Sequence, residues 1–155
     1  MKKKLLQLVS GFLFFFIISG PAPDTSASGK IEWQSYKKGI SLSKSISKKV
    51  FINFHADWCR YCLVMEKQTF TNSAVVAYLN KHFIPIKVDS EHEKKIADQY
   101  QVRGLPLTCF LSETAERIAC RPGYISADEL LQILKYIGTD SYKHTSFNDF
   151  LKNDK

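Results

Sequence analysis

The stretch Phe54-His55-Ala56-Asp57-Trp58-Cys59-Arg60-Tyr61-Cys62 places a C-x-x-C pair directly after the short apolar run Val50-Phe51-Ile52-Asn53-Phe54. Such a nearly continuous run predicts a buried strand. From Cys59 to about Gln68 the spacing, with Leu63 and Val64 as apolar positions, predicts a helix. Cys59 then falls at the exposed end of that helix. A helix N-terminus carries roughly half a positive charge and unpaired N–H groups, which stabilise a thiolate. Cys62, one turn further on, is placed to attack a mixed disulfide formed at Cys59. Thiol–disulfide exchange needs this combination of an accessible nucleophile and a nearby resolving thiol.

Outward from the cysteines, Thr71 and Asn72 are N-cap types, and Ala74, Val75, Tyr78 and Leu79 follow at helical spacing. The helix is therefore expected to break near residues 69–72. Phe83 to Val88 predicts a second strand carrying Pro85, which removes one ladder donor. Ser90 with Glu93 reads as a capping box ahead of the stripe Ile96, Ala97 and Tyr100. Leu107 to Leu111 and Arg117 to Arg121, joined by a short polar link, predict a β-hairpin. Ser126 with Glu129 caps a last helix through Leu130, Leu131, Ile133, Leu134 and Ile137, which Gly138 ends. Before the first strand, Ile40 to Ile46 fits a short amphipathic helix; residues 139–155 form an appendage around Phe147, Phe150 and Leu151. The order α-β-α-β-α-β-β-α implies an α/β fold. Strands separated by helices are expected to pair parallel and the final hairpin antiparallel, giving a mixed sheet with helices on both faces.

The chain has 155 residues, enough for one domain, and 45% hydrophobic against 24% charged residues is globular composition. Residues 1–27 are set apart. Lys2, Lys3 and Lys4 precede Leu5 to Ile18, in which 11 of 14 positions are apolar. A transmembrane helix needs about 20. The run fits a signal peptide cleaved after Ala27 at Thr25-Ser26-Ala27, with a short uncleaved anchor as the alternative. Cleavage would remove three of the 22 Lys and Arg and one of the 15 Asp and Glu, turning +7 into +5. The remaining positive charge is scattered, with no basic stripe among aromatics, so nucleic acid is not an expected partner. Export would place the four cysteines where disulfides persist.

The segment from Phe54 to Cys62 resembles the active-site segment of the thioredoxin superfamily. Val102-Arg103-Gly104-Leu105-Pro106 resembles that family's second signature, in which a cis-proline, here Pro106, faces the cysteines. The resemblance covers about residues 31–138 and implies a thioredoxin-like fold, with Cys59 and Cys62 as the redox-active disulfide. Glu66-Lys67-Gln68-Thr69-Phe70 is similar to the C-terminal, thioredoxin-like domain of the transmembrane disulfide reductase DsbD, and to small exported thioredoxin-like proteins of bacteria.

Two departures stand out. Where the family has a buried Asp, six residues before the first Cys, this chain has Asn53. Where a Lys often lies on the next strand, it has Pro85. Asn cannot take up a proton. Glu66, four residues after Cys62 and on the same helical face, is the candidate that tunes Cys62; the alternative is a surface carboxylate paired with Lys67 or Lys81.

Trp58 is expected to shield the site and meet partners. Arg60 and Tyr61 occupy the variable positions, and Leu105 lines the substrate groove. Arg60 adds positive charge that favours the Cys59 thiolate. Cys109 and Cys120 lie on the two hairpin strands. A four-residue loop would set Ser112 opposite Arg117 and Cys109 opposite Cys120, as a second disulfide or as two buried thiols. Four cysteines holding zinc is the weaker alternative, and no metal or organic cofactor is expected. His55, His82, His92 and His144 are dispersed and read as surface or satisfied side chains, although His55 lies near the site.

The resemblance implies thiol–disulfide oxidoreduction on exported client proteins in the periplasm, or at the outer face of a bacterial membrane. Electrons would come from a membrane donor of the DsbD type, and the chain is expected to be a monomer. A disulfide-forming oxidase, or a chaperone on the same scaffold, are the alternatives.

Overall fold

The computed structural model describes residues 29–153, so the segment read as a signal peptide lies outside the described residues. The elements are α1 (Tyr36–Ile46), β1 (Lys49–His55), α2 (Arg60–Gln68), α3 (Ser73–His82), β2 (Phe83–Asp89), α4 (Lys94–Gln99), β3 (Leu107–Leu111), β4 (Arg117–Pro122), α5 (Ala127–Gly138), a 3-10 turn (Ser141–Lys143) and α6 (Phe147–Asn153). The strands form one sheet in the order β2-β1-β3-β4.

Period-two alternation divides the sheet's side chains between two layers. Phe51, Phe83 and Phe110 pack with Met65 and Phe70 near α2, with Val75 and Leu79 of α3, and with Leu130 and Leu134 of α5. Val50, Ile52, Phe54, Ile84, Ile86, Val88 and Cys109 face the other way, against Tyr36 and Ile40 of α1 and Ile96 beside Tyr100 at α4. Helices thus cover both faces, as expected of an α/β thioredoxin-like fold.

The pairing differs from expectation in one respect. β1 and β2 are parallel, but β3 pairs with β1 antiparallel, although helices separate them. Leu107 enters the ladder opposite Phe54, at the end of the sheet where β2 finishes with Asp89 opposite His55, so β3 begins where β2 ended and runs back.

Asn72 caps α3, accepting the N–H groups of Ala74 and Val75, and Ser126 caps α5, accepting that of Glu129. Ser90 does not cap α4. The N-cap of α4 is Glu93, whose side chain makes no cap bond to the helix; Asp89 instead holds the turn before it, its Oδ1 accepting the N–H groups of Glu91 and His92, while Glu93 Oε1 accepts from Asp89 N. Gly138 is the last residue of α5, not a left-handed cap. Its requirement is space, because a Cβ there would stand 3.0 Å from the Tyr78 hydroxyl. Pro85 is accommodated because β2 is an edge strand, met on its outer side by a single bridge at Gln34, whose N–H donates to the Pro85 carbonyl.

Candidate functional site

Cys59 is the N-cap of α2, and its Sγ accepts the Cys62 N–H at 3.2 Å. The two cysteines are bridged, with Cα atoms 5.2 Å apart. They are 4% and 7% exposed, and Ala56 and Leu105 close around them. The helix begins here because β1 delivers the chain to the end of the sheet, where Cys59 N–H donates to Ala56 O and turns it. Trp58, Tyr61 and Leu63 are 70%, 63% and 50% exposed. Large apolar groups are thus left in solvent around a nearly buried bridge. Arg60 is exposed on the same first turn.

The second motif arrives from β3. The Leu105–Pro106 peptide is cis, Pro106 is buried, and its carbonyl accepts Gly123 N–H at 2.8 Å. At Leu105 opens a cleft of about 270 Å³, lined by Trp58, Glu91, Lys94, Arg103 and Leu105 among others. Trp58, the cysteines and Leu105 are therefore neighbours in space, although Leu105 is more than forty residues from the C-x-x-C pair in the chain.

Behind the bridge lies a smaller cleft of about 110 Å³, lined by Asn53, His55, Asp57, Cys62, Glu66 and Lys87 among others. Glu66 opens onto Cys62's side and accepts from Lys87 Nζ at 2.6 Å, so its ion-pair partner is neither Lys67 nor Lys81. Lys87 was not singled out in the sequence. The signal was there: it lies two residues after Pro85 and so on the same face of β2, opposite Asn53 in the parallel ladder. Asn53 is 2% exposed. Its Nδ2, like Oγ1 of the facing Thr108, has no hydrogen-bond partner. Burial pushes the His55 pKa down, and the Lys87 ammonium adds to this, against the carboxylates of Asp89, Asp57 and Glu66.

Cys109 and Cys120 are opposite each other in the β3–β4 ladder and are bridged, with Cα atoms 4.1 Å apart. The route to that register differs from expectation. Ser112 N–H donates to Glu116 O, Leu111 faces Arg117, and one extra residue, Ile118, bulges before Phe110 meets Ala119. Without the bulge, Cys109 would face Ala119. Cys109 belongs to the α1 and α4 side of the sheet and packs away from the Cys59–Cys62 cluster, so the four cysteines form no common site.

A thioredoxin-like domain model matches residues 36–138. The thiol:disulfide interchange protein DsbD of Actinobacillus pleuropneumoniae is 30% identical over 102 residues, covering 62% of this chain and 17% of that protein. The disulfide bond reductase DsbH of Chlamydia pneumoniae is 24% identical over 105 residues, covering 60% of this chain and 63% of that protein. The match thus spans less than two thirds of either relative. A thioredoxin from Thermus thermophilus, solved in solution, superposes with a TM-score of 0.64 over 70% of this chain and 87% of its own, at 23% identity.

Proposed function

The chain belongs to the thioredoxin-like domain family and is a thiol–disulfide oxidoreductase of that family; on that premise we propose that it is exported and reduces disulfides of other exported proteins. The observation that carries the reading is Cys59 as N-cap of α2, between the exposed Trp58 and the groove at Leu105. Helix dipole and N–H groups favour thiolate at Cys59, so this sulfur attacks first. One client sulfur leaves, and Cys59 holds the other in a mixed disulfide. Cys62 then attacks Cys59 Sγ and the second client sulfur departs. Two electrons pass to the client and the bridge is formed. Trp58, Arg60 and Tyr61 meet the client around the bridge. Leu105 and Pro106 shape the groove, where an extended segment pairs with backbone as in strand addition. Glu66 sets the charge beside Cys62. Resetting the pair takes a thiol donor, and a membrane reductase of the DsbD type supplies it.

The leader-like residues 1–27 support export, and the likeness to a disulfide bond reductase supports the direction. Insulin reduction with dithiothreitol tests the activity: the wild type should accelerate precipitation and Cys59→Ser should not. The potential of the pair tests the direction. A value near about −270 mV supports a reductant, and one near about −120 mV an oxidant. Recovery of uncleaved protein in the cytoplasm would remove the export part.

A further inference from the structure

We propose that His55 is the proton acceptor for Cys62 in the resolving step, acting across the cleft behind the bridge. The proposal rests on the reading of Cys59 and Cys62 as a working redox pair.

Cys62 must lose its proton before it attacks. It sits one turn inside α2 and is 7% exposed, whereas Cys59 holds the helix end. An ordinary thiol ionises near about 8.5, and apolar burial raises that value, so a neutral solution leaves the group protonated without help. Asn53, beneath it, has no acidic or basic function. The acceptor therefore has to come from the ionisable groups that share the cleft with Cys62, which are His55, Asp57, Glu66 and Lys87.

The fold brings these groups together by two periodicities. On β1, Asn53 and His55 follow Phe51 on the face that meets α2; on β2, Lys87 follows Phe83 on that same face. On α2, Cys62 and Glu66 are one turn apart. Lys87 is a donor only. Glu66 is held by Lys87 at 2.6 Å, and Asp57 is exposed. Among the groups of the cleft that can accept a proton, imidazole stands nearest a thiolate in ordinary basicity, well above the two carboxylates, which makes it the best matched base near neutral pH. His55 is half-buried. Burial first, and then the Lys87 charge, lower its pKa below the ordinary 6.5, against Asp89, Asp57 and Glu66. It is therefore neutral and able to accept.

In the mixed disulfide, the Cys62 S–H proton passes to an imidazole nitrogen of His55. The Cys62 thiolate attacks Cys59 Sγ, the Cys59–client bond breaks, and the Cys59–Cys62 bond forms. The client sulfur leaves with the electron pair. The imidazolium returns its proton through the open cleft, and the departing thiolate takes one up. No further oxidant or reductant enters.

The experiment is stopped-flow reaction of the reduced protein with an aromatic disulfide whose thiolate is coloured. A first phase reports attack by Cys59 and a second reports resolution by Cys62. In His55→Gln the second phase at neutral pH should slow on the order of a hundredfold, with the first phase unchanged. Its pH profile should then follow a thiol in place of an imidazole. A second phase at the wild-type rate between about pH 6 and 8 overturns the proposal. So does a loss of that phase in Glu66→Gln but not in His55→Gln. If wild-type protein releases no thiolate at all, the redox reading itself has failed and takes the proposal with it. An NMR titration of His55 in wild-type protein needs no variant. The neutral imidazole, present above its lowered pKa, should set the acid limb of the wild-type second phase, so a wild-type phase that falls only with a thiol ionisation and not through the midpoint measured for His55 overturns the assignment.

Discussion

Replacing Asn53 by Asp puts a carboxyl where the fold is driest beneath the bridge. Asn53 is 2% exposed, lies opposite Lys87 on β2 and Thr108 on β3, and has an unpartnered Nδ2. The carboxyl has nearly the same shape as the amide, so packing is unchanged and the cost is electrostatic. Desolvation raises a buried carboxyl by as much as about 3–5 units. Two groups oppose this: the Thr108 hydroxyl, free to donate, and Lys87, whose charge is already shared with Glu66 at 2.6 Å. A net rise of about 2–3 units remains, worth about 3–4 kcal/mol at about 1.4 kcal/mol per unit. Below about pH 3.9 the group is protonated in both folded and unfolded chains, and Asn53→Asp should match the wild type. As pH climbs through that unfolded value the unfolded state ionises first, so stability falls with pH and levels off above the raised folded value. Guanidinium unfolding of the oxidised protein at three pH values measures the difference directly. A deficit that does not vary with pH, or a gain in stability above neutrality, would refute the argument, the latter by showing that Lys87 fully compensates the carboxylate.

Four further outcomes follow from the structure. Gly39→Ala should destabilise the fold by up to about 2 kcal/mol in thermal melts, because the new Cβ collides with the buried Ile86 side chain, and overpacking of about 1–3 kcal/mol is offset only in part by a helix-propensity gain of about 1; Ile86→Ala in the same chain should relieve the clash. Lys49, 5% exposed, donates to Glu113 at 2.6 Å and Asp140 at 3.1 Å. Burial alone would lower its pKa, but the two carboxylates outweigh it and hold the value above the usual; Glu113 is lowered by Lys49 against its own burial, and Asp140 by Lys143 first and then by Lys49. The cluster's contribution is present between the ordinary carboxylate and lysine values and fades as pH falls through the first or rises through the second, so Lys49→Met should cost about 1–2 kcal/mol at neutral pH and less at either extreme. Trp58→Ala should leave melting nearly unchanged and raise KM for protein disulfides while the aromatic disulfide reacts as before, since the ring is 70% exposed. Replacing both Cys109 and Cys120 by Ala should cost about 2–3 kcal/mol, the loop-closure value for a separation of 11 residues, and an equal stability would mean that the bridge is not formed in solution.

Much of the fold was legible because its signals are local. Val50 to Phe54 is apolar enough to demand burial, Asn72 and Ser126 cap the helices that follow them, and C-x-x-C after a strand marks the helix end that Cys59 caps. Each needs only neighbours within about one helical turn or strand repeat. What the residue order did not contain was the partner across space. Whether β3 runs with or against β1 depends on which end of β1 the seventeen-residue connection delivers Leu107 to, a property of the whole folded connection. The bulge at Ile118 that restores Cys109 to Cys120 is visible only once the tight turn at Ser112–Glu116 has set the ladder. Glu66 was recognised from its helical face, yet Lys87, 21 residues away, is its partner because parallel pairing sets Lys87 beside Asn53. His55 looked like one dispersed histidine among four, and it became a candidate base when alternation along β1 turned it into the cleft behind Cys62. Periodicity names the face on which a side chain lies; only the closed chain determines what waits on the other side of it.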